Sequence, residues 1–509
     1  MRVSASALVT LTVLVFSRPG YAQFPASVPP NVKRPQPIAP RPNPEGIPPR
    51  HWVPHVPEVP LKGGPKPAAP GHEKEDKSDP ASLAPIDIPS FPIRRYTLPN
   101  GLRVVVSPDH AAPTVAVAMT YGVGSRDEER GRSGFAHFFE HMMFQGTRNI
   151  RRGEHFSKVA SVGGVLNGRT FTDHTRYETS VPAHALPLVL WLEADRMKGL
   201  DFTPANFANQ RDVIKEELRL RVDNAAYVPS YVRLIELVYR GVFPYEHTPL
   251  GSFIDLDQSD PSQVEAFFRA HYRPDNATLA IVGDVEDAAV DALIASTFRN
   301  IKAPKENRAP FVEPKMPEQT TPRGDVVADA YAELPMWMAG WATARAGTRD
   351  HAALAVLATL LGGSEHSRLH AELIQKRGIA VEVNAQVRSF GTADPFTVTI
   401  QMATGHRPDE ARTLFDKEWA RLVKDGVTKD EVDRAKRHLA TSAALQLEPF
   451  TGRANALADA EMQFGNAEAL RAQLANIVQV SADDVTRVAR TYLTEARRSA
   501  VDVRVRDLP

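Results

Sequence analysis

Two histidines and a glutamate lie within five consecutive residues of the sequence, in the order His137, Glu140, His141. If this stretch is helical, a spacing of four residues returns both imidazoles to one face, and Glu140 falls in the same sector. Two imidazoles on one helical turn could hold one metal ion, with the carboxylate beside it. The spacing therefore predicts metal-dependent hydrolysis.

The competing interpretation is that these histidines are structural, as a single histidine on an apolar helix face usually is. Phe138, Phe139 and Met142 surround the three polar side chains. Three polar groups on one apolar turn are costly to bury unless they are paired or bound to a metal. The order His-x-x-Glu-His is moreover the reverse of the common His-Glu-x-x-His zinc motif and is itself a zinc peptidase signature.

A catalytic zinc ion takes three protein ligands and leaves one position for water. Because the sequence has no cysteine, the third ligand must be a histidine or a carboxylate. Thr203-Pro204 is a typical helix start, and the helix that it opens carries Glu216 and Glu217. Spacing alone does not choose among these candidates. Glu140 is better placed as the general base that accepts a proton from water.

The composition excludes several other functions. The 509 residues include 61 basic and 61 acidic side chains, so the formal net charge is zero and no basic block stands out. Nucleic acid and anionic membrane surfaces are therefore not expected partners. The lack of cysteine excludes disulfides and thiol catalysis. The length predicts two or more domains.

The N-terminus predicts export. Arg2 precedes an apolar run from Ala7 to Phe16, and Gly20-Tyr21-Ala22 provides a small-x-small cleavage site, so residues 1–22 are interpreted as a signal peptide. The alternative is an uncleaved anchor, but the apolar run is shorter than the roughly 20 residues that span a bilayer. We expect a periplasmic protein, with secretion as the alternative and no membrane span after cleavage.

Residues 23–92 are interpreted as a disordered tether. Of the 42 prolines, 18 fall between residues 24 and 85, and proline at this density favours extended polyproline II over helices or sheets. A ligand for a proline-recognising module is the alternative to a spacer.

The remaining chain predicts two lobes of similar architecture, residues 93–301 and 324–509, joined by a linker over residues 302–323. The second lobe repeats the order of strands and helices of the first, but Ala352-Ala353 stands where the first has its histidine motif. We expect an α+β fold with two homologous lobes, each a mostly antiparallel sheet covered on one face by helices. The first lobe is expected to be catalytic and the second to be an inactive repeat.

The run from Ser133 to Thr147 closely resembles the signature of the pitrilysin, insulysin and mitochondrial processing peptidase family, the inverzincins. This resemblance implies a zinc endopeptidase with one Zn²⁺ per chain. In the family the third ligand lies about 76 residues beyond the second histidine, which selects Glu217 over Glu216 (217 − 141 = 76). Gln210 stands where the family has a glutamate that assists the metal site. The interactions that orient the metal ligands are therefore expected to differ from those of the family.

The resemblance covers roughly residues 93–509 and implies a clam-shell chamber in which an edge strand pairs with an extended peptide. Asn167 matches the family's substrate-contacting asparagine, although an asparagine after Gly163-Gly164 could also simply form a turn. Such a chamber favours short or unfolded peptides as substrates.

Family members also use an arginine and tyrosine pair from the other half of the clam, often supplied by a second subunit. The second lobe shows no convincing pair, which implies a homodimer or a heterodimer with a homologous, metal-free subunit. Two rival functions stay open: a non-catalytic subunit of a two-chain peptidase, and a proline-tethered surface-binding module.

Overall fold

The computed structural model describes residues 86, 89–303, 311–391 and 393–505. The predicted signal peptide, nearly all of the predicted tether and residues 304–310 of the predicted linker lie outside these residues. Within the described part of the chain, no helix combines the length and the apolar character needed to cross a membrane.

The first half of the described chain builds a six-stranded sheet in the order β1-β2-β6-β3-β5-β4, in which only the β2–β6 pair is parallel. Asn100-Gly101 forms the turn of a hairpin between β1 and β2, in which Thr97 pairs with Arg103. The strands are β1 (Arg94–Thr97), β2 (Arg103–Pro108), β3 (Thr114–Tyr121), β4 (Val165–Thr170), β5 (Thr175–Pro182) and β6 (Ala277–Gly283).

Helices cover one face of this sheet and meet its larger side chains, such as Val117, Met119 and Ile281, in one apolar core. The helices of this half are α1 (Phe135–Met142), α2 (Glu154–Ser161), α3 (Leu186–Lys198), α4 (Pro204–Leu218), α5 (Val228–Val238), α6 (Phe243–Glu246), α7 (Phe253–Asp257), α8 (Pro261–His271) and α9 (Asp287–Phe298). Single 3₁₀ turns occur at Ser125–Asp127, Ala183–Ala185 and Pro274–Asn276, and a π-helical turn at Arg219–Asp223 continues α4.

The second half builds a five-stranded sheet in the order β7-β11-β8-β10-β9, in which only the β7–β11 pair is parallel. Its strands are β7 (Arg323–Asp329), β8 (Met336–Ala342), β9 (Ala380–Val387), β10 (Pro395–Met402) and β11 (Ser499–Val505). Its helices are α10 (Arg349–Leu361), α11 (Arg368–His370) with a π-helical extension (Ala371–Lys376), α12 (Pro408–Asp425), α13 (Lys429–Leu447), α14 (Phe450–Phe464), α15 (Ala469–Gln479) and α16 (Ala482–Tyr492).

The two sheets have the same topology. Strands β2, β6, β3, β5 and β4 correspond in order and direction to β7, β11, β8, β10 and β9, and β1 is an addition at the edge of the first sheet. The predicted fold class, two homologous α+β lobes with mostly antiparallel sheets, is confirmed.

Each sheet also receives one helix from the other half of the chain on its second face. Helix α14 packs on small side chains of the first sheet, including Ala116, Ala118 and Ala280. Helix α5 packs on the second sheet, where Leu234 and Val238 share a core with Met338, Val501 and Val503. The two halves thus exchange helices, which the sequence did not predict.

Phe91, which the sequence analysis places in the tether, is buried in the cluster around α14, and the guanidinium of Arg453 lies 4.8 Å from its ring centroid. The packed part of the chain therefore includes at least this residue before position 93. The other predicted domain boundaries stay predictions.

Candidate metal centre

Helix α1 begins at a glycine contact. Gly134 precedes the helix with a φ of 92°, and Gly251 lies so close that a Cβ there would come within 2.5 Å of the Gly134 backbone. The side chain of Asp255 accepts hydrogen bonds from the backbone N–H and the hydroxyl of Ser133. The segment after α6 therefore fixes the position at which α1 starts.

A buried carboxylate supports the same helix start. Glu128 accepts hydrogen bonds from the backbone N–H groups of Gly134 and Ala136, and its Oε2 lies 2.8 Å from Nε2 of His247. Burial raises the pKa of Glu128, while His247 and the two amides oppose that effect. An acceptor at the N-terminus of α1 satisfies amide groups that have no partner within the helix.

The two histidines of the motif lie on α1 as the spacing predicted. Both are buried, with 5% of His137 and 3% of His141 exposed, and their ring centroids are 4.8 Å apart. The flanking residues Phe138, Phe139 and Met142 belong to the apolar core of the first half. The sequence prediction that the imidazoles share one helix face is confirmed.

Helix α4 brings Glu217 to these histidines. It begins as predicted, because the Thr203 side chain caps it by accepting a hydrogen bond from the Asn206 amide. Carboxylate oxygens of Glu217 lie 3.1 Å from Nε2 of His141 and 3.8 Å from Nε2 of His137. One potential ligand atom from each of the three residues lies within 4.8 Å of the other two.

Glu216, the alternative that spacing alone left open, is directed elsewhere. Its side chain is 59% exposed and pairs with Arg219 at 3.1 Å. Glu217 also pairs with Arg221 at 3.0 Å, on the π-helical turn that continues α4. The geometry thus selects the same glutamate as the family resemblance.

Gln210, two turns before Glu217 on α4, orients one of the imidazoles. Its Oε1 lies 3.3 Å from Nδ1 of His141, and its Nε2 donates to Asn209. Since an amide oxygen only accepts, Nδ1 of His141 carries a proton, and Nε2 is the nitrogen that remains to bind a metal ion when the ring is neutral. Such support fixes the tautomer of a metal-binding histidine.

The electrostatics of the three residues also suit a cation. Burial, together with the neighbouring His141, lowers the pKa of His137 and favours its neutral form. Burial would also lower the pKa of His141, but its hydrogen bond to Glu217 outweighs that effect and raises it. Burial alone would raise the pKa of Glu217, yet the two histidines and Arg221 lower it to about 2.

The donor set fits a zinc ion. A tetrahedral ion with ligands about 2.0–2.2 Å away separates its ligand atoms by roughly 3.3–3.6 Å, which lies between the two Glu217–histidine distances. Two neutral imidazoles and one carboxylate form a known catalytic zinc site. Nδ1 of His137 is buried and has no hydrogen-bond partner within the described residues.

Glu140 lies on α1 between the two histidines and is half-buried. Thr170 on β4 donates a hydrogen bond of 2.6 Å to its Oε2. Gly168 lies beside its side chain, since a Cβ at that position would come 2.9 Å from Cγ of Glu140. The predicted base is thus held between its own helix and strand β4.

Asn167 lies on β4, the last strand of the first sheet in the described structure, and pairs with Glu178 on β5. It belongs to a strand, so the alternative that it simply forms a turn is wrong. Its predicted role in substrate binding stays a prediction.

A separate cavity lies apart from this centre. It has a volume of about 560 Å³, and neither the two histidines nor Glu140 nor Glu217 lines it. Its walls include Arg103, Arg126, Asp173, Glu313 and Arg345.

Glu128, Gly168 and the contact between Thr170 and Glu140 were not predicted from the sequence. Glu128 lies in a loop, six residues before Gly134. No spacing rule predicts that a carboxylate in a loop will accept hydrogen bonds from the start of a helix. Thr170 and Gly168 follow the same Gly163-Gly164 turn that singled out Asn167. That turn could therefore also have indicated these two residues.

Two family models match this chain. A family model described as insulinase, peptidase family M16, matches residues 103–232, and one described as peptidase M16 inactive domain matches residues 260–439. The zinc protease PqqE of Helicobacter pylori is 30% identical over 410 residues, which cover 80% of this chain and 91% of that protein.

Solved structures show the same fold. A protease from Helicobacter pylori superimposes with a TM-score of 0.78 at 28% identity, over 81% of this chain and 99% of that one. The periplasmic protease PqqL from Escherichia coli gives a TM-score of 0.69 at 19% identity, over 83% of this chain but only 48% of that one. The second likeness concerns the fold alone.

Proposed function

This chain belongs to the insulinase family of peptidases, family M16, and from that premise we propose that it is an exported zinc endopeptidase. The observation that carries the proposal is the convergence of His137, His141 and Glu217, whose potential ligand atoms lie within 4.8 Å of one another. Several relatives are named zinc proteases, which supports the same metal. We propose one zinc ion per chain.

Each residue of the centre has a distinct role in this proposal. His137, His141 and Glu217 hold the ion, and Gln210 keeps His141 in the tautomer that presents Nε2. A bound zinc ion supplies a Lewis acid that activates water and polarises the peptide carbonyl. Glu140 accepts the proton from the attacking water and later returns it to the leaving amine.

The substrate is an extended peptide. Strand β4 forms an edge of the first sheet and contacts α1 through Glu140, so its edge lies close to the proposed base. An extended peptide can add to such an edge through backbone hydrogen bonds. Asn167 on the same strand is the proposed substrate contact. Short or unfolded peptides can adopt this conformation, whereas a folded protein presents few segments that can.

Export follows from residues 1–22, which have the features of a signal peptide. We propose a periplasmic enzyme in which the proline-rich segment acts as a tether or spacer. Mass spectrometry of the N-terminus of the protein from cells tests the cleavage after Ala22.

A specific observation favours a second, homologous subunit. The second half of the sequence, residues 324–509, has two tyrosines, Tyr331 and Tyr492. Both hydroxyls are engaged within this chain, with Asn224 and Asp350 respectively. The arginine and tyrosine pair that the family uses therefore has no evident source here, and a partner chain would supply it. Size-exclusion chromatography with light scattering measures the oligomeric state.

The substitution Glu140→Gln tests the proposed base. It keeps the size and hydrogen-bonding capacity of the side chain but removes the proton acceptor. We expect zinc to be retained at one ion per chain and peptide cleavage to fall by about 10²- to 10⁴-fold. Zinc content by elemental analysis and cleavage of a quenched fluorescent peptide are the two measurements. Retained zinc with unchanged cleavage contradicts the role of Glu140.

Deletion of residues 24–85 distinguishes the enzyme from a proline-tethered binding module. The enzyme should keep full cleavage activity without this segment, because the proposed centre lies entirely between residues 128 and 255. Loss of all function on deletion favours the binding module. Absence of both zinc and cleavage in the undeleted protein, alone or with its partner, favours the non-catalytic subunit.

A further inference from the structure

Strand β4 contacts the proposed base through a hydroxyl group. The Oγ1 of Thr170 donates a hydrogen bond of 2.6 Å to Oε2 of Glu140, across the interface between β4 and α1. Both residues are half-buried. The donor and the acceptor are 30 residues apart in the sequence, so the contact depends on how the strand meets the helix.

The position of the strand makes this contact possible. Alternate residues of a strand share one face, so Gly168 and Thr170 point to the same side. At Gly168 a Cβ would lie 2.9 Å from Cγ of Glu140 and 3.2 Å from the ring of Phe144. The missing side chain at this position lets the backbone of β4 approach α1 closely, and the hydroxyl two residues later then reaches the carboxylate.

Packed aromatic side chains line the space beside Gly168. Phe144 and Tyr177 both contact the space above Gly168, and their rings are 5.7 Å apart. The guanidinium of Arg196, paired with Glu193 in the core, lies 4.1 Å from the ring centroid of Tyr177. This wall is rigid, because its members are buried and mutually packed. The Glu140 stem borders the same space above Gly168, and the Thr170 hydroxyl engages its carboxylate.

We propose that Thr170 is a positioning residue for Glu140: it engages one carboxylate oxygen and so directs the other towards the water that the base must deprotonate. This inference rests on the proposed function, because it assigns a role relative to the proposed base. A base must hold its accepting oxygen within hydrogen-bond distance of the proton that it takes, and small misplacements lower the rate strongly.

The same strand carries Asn167 on the opposite face, at the edge where a peptide is proposed to add. Strand β4 therefore links the proposed substrate edge to the orientation of the base.

The test compares Thr170→Val with Thr170→Ser in the full chain. Valine keeps the shape of threonine without the hydroxyl, and serine keeps the hydroxyl without the methyl group. We expect the valine variant to lose about 10- to 100-fold in kcat while KM and the zinc content stay at the wild-type values. The serine variant should restore kcat to within about threefold of the wild type.

Thr175→Val is the matched control. Thr175 pairs with Thr170 across the β4–β5 ladder, is fully buried, and donates its hydroxyl hydrogen bond to the carbonyl of Val123 instead of to Glu140. Its loss should lower thermal stability without lowering kcat. An equal loss of kcat in both valine variants, or a kcat within twofold of the wild type in Thr170→Val, overturns the positioning role.

A crystal structure of metal-free Thr170→Val provides a readout that does not depend on activity. We expect the Glu140 carboxylate to rotate away from its wild-type orientation or to occupy several, and an unchanged carboxylate overturns the proposal. If the wild type binds no zinc and cleaves no peptide, the proposed function fails, and this structure still decides whether Thr170 orients Glu140.

Discussion

Helix α1 in the first half and helix α10 in the second half follow equivalent strands, β3 and β8, of two sheets with the same topology. Both are almost entirely buried, but α1 buries His137 and His141, whereas α10 buries alanine, leucine and valine at its centre. The scaffold alone therefore does not require histidines at this position. Chemistry explains the imidazoles of α1 better than packing does, because packing is satisfied without them in α10.

The N-termini of α1 and α10 also differ. Helix α10 has a local cap, since the Thr348 side chain accepts a hydrogen bond from the amide of His351. Helix α1 begins at Gly134 and depends on Glu128 in the preceding loop and on contacts with Gly251. A helix that carries functional groups is thus placed by tertiary contacts, whereas its apolar counterpart is capped by its own sequence.

The exchanged helices form a second pair for comparison. Helix α5 meets the second sheet through buried apolar side chains, and its ion pair with that sheet, Arg233 with Asp325 at 2.6 Å, is more than a third exposed. Helix α14 meets the first sheet partly through polar contacts: its half-buried Asp459 binds the buried Arg176 at 2.6 Å and lies 3.3 Å from the buried His174, and Asn455 donates to Glu178. The half with the proposed metal centre therefore holds its exchanged helix partly by ion pairs. Removal of one member of such a pair leaves the other buried without its counter-charge.

The strongest test of the difference between the two halves is removal of the third ligand. Glu217→Gln should abolish zinc binding at micromolar metal and reduce peptide cleavage to background, because a neutral amide is a poor zinc ligand. Its neighbour gives the control: Glu216→Gln, at an exposed position, should leave zinc content and cleavage unchanged. Elemental analysis and peptide cleavage measure both. Zinc retained in the first variant would remove Glu217 from the site.

The charged interface should be more fragile than the apolar one. Asp459→Asn leaves Arg176 and His174 buried without their shared carboxylate, and we expect a loss of about 3–5 kcal/mol in the free energy of unfolding. Leu234→Ala in the α5 interface should cost about 2–5 kcal/mol through the cavity it creates. Urea unfolding measures both. A loss below about 1 kcal/mol for Asp459→Asn would show that the buried charges contribute little to holding α14.

The same interface predicts a dependence on pH. Burial would lower the pKa of His174, but Asp459 and Asp173 outweigh this and raise it to about 9 from the usual 6.5. Since the folded state binds this proton more tightly, the stabilisation is complete below about pH 6.5 and is lost as pH rises through 9. The guanidinium groups of Arg176 and Arg126 also lie near this cluster.

Replacement of His174 by glutamine checks this pH dependence. The free energy of unfolding of the wild type should fall between about pH 6.5 and pH 9.5, and the decline should be smaller in the variant. The two proteins should differ most at about pH 6. Parallel declines in urea unfolding experiments across this range would contradict the assignment to His174.

The smallest expected effect concerns the residue that departs from the family pattern. Gln210→Leu removes the acceptor for Nδ1 of His141 and should weaken zinc binding by roughly 10-fold, since residues that orient metal ligands typically contribute 10- to 100-fold. Gln210→Glu restores the charged acceptor of the family and should bind zinc at least as tightly as the wild type. Competition with a zinc-binding dye measures both affinities. Equal affinities in all three proteins would remove Gln210 from the support of the site.

The sequence by itself determined much of the proposed centre. The spacing of His137, Glu140 and His141 is a local property of one helix, and helical geometry converts it directly into a shared face. The identity of Glu217 needed the family resemblance, because nothing in local spacing separates it from Glu216. The repeated order of strands and helices also predicted the duplicated α+β lobes.

Tertiary structure alone decided what surrounds these residues. An apolar helix face does not specify which sheet will cover it. The hydrophobic pattern of the sequence therefore did not predict the exchange of α5 and α14 between the halves. Glu128 at the start of α1 and Thr170 beside Glu140 make contacts that no spacing rule within one element describes. Such contacts depend on how elements pack, because the hydrogen-bonding side chains carry no signal of where the fold will place them.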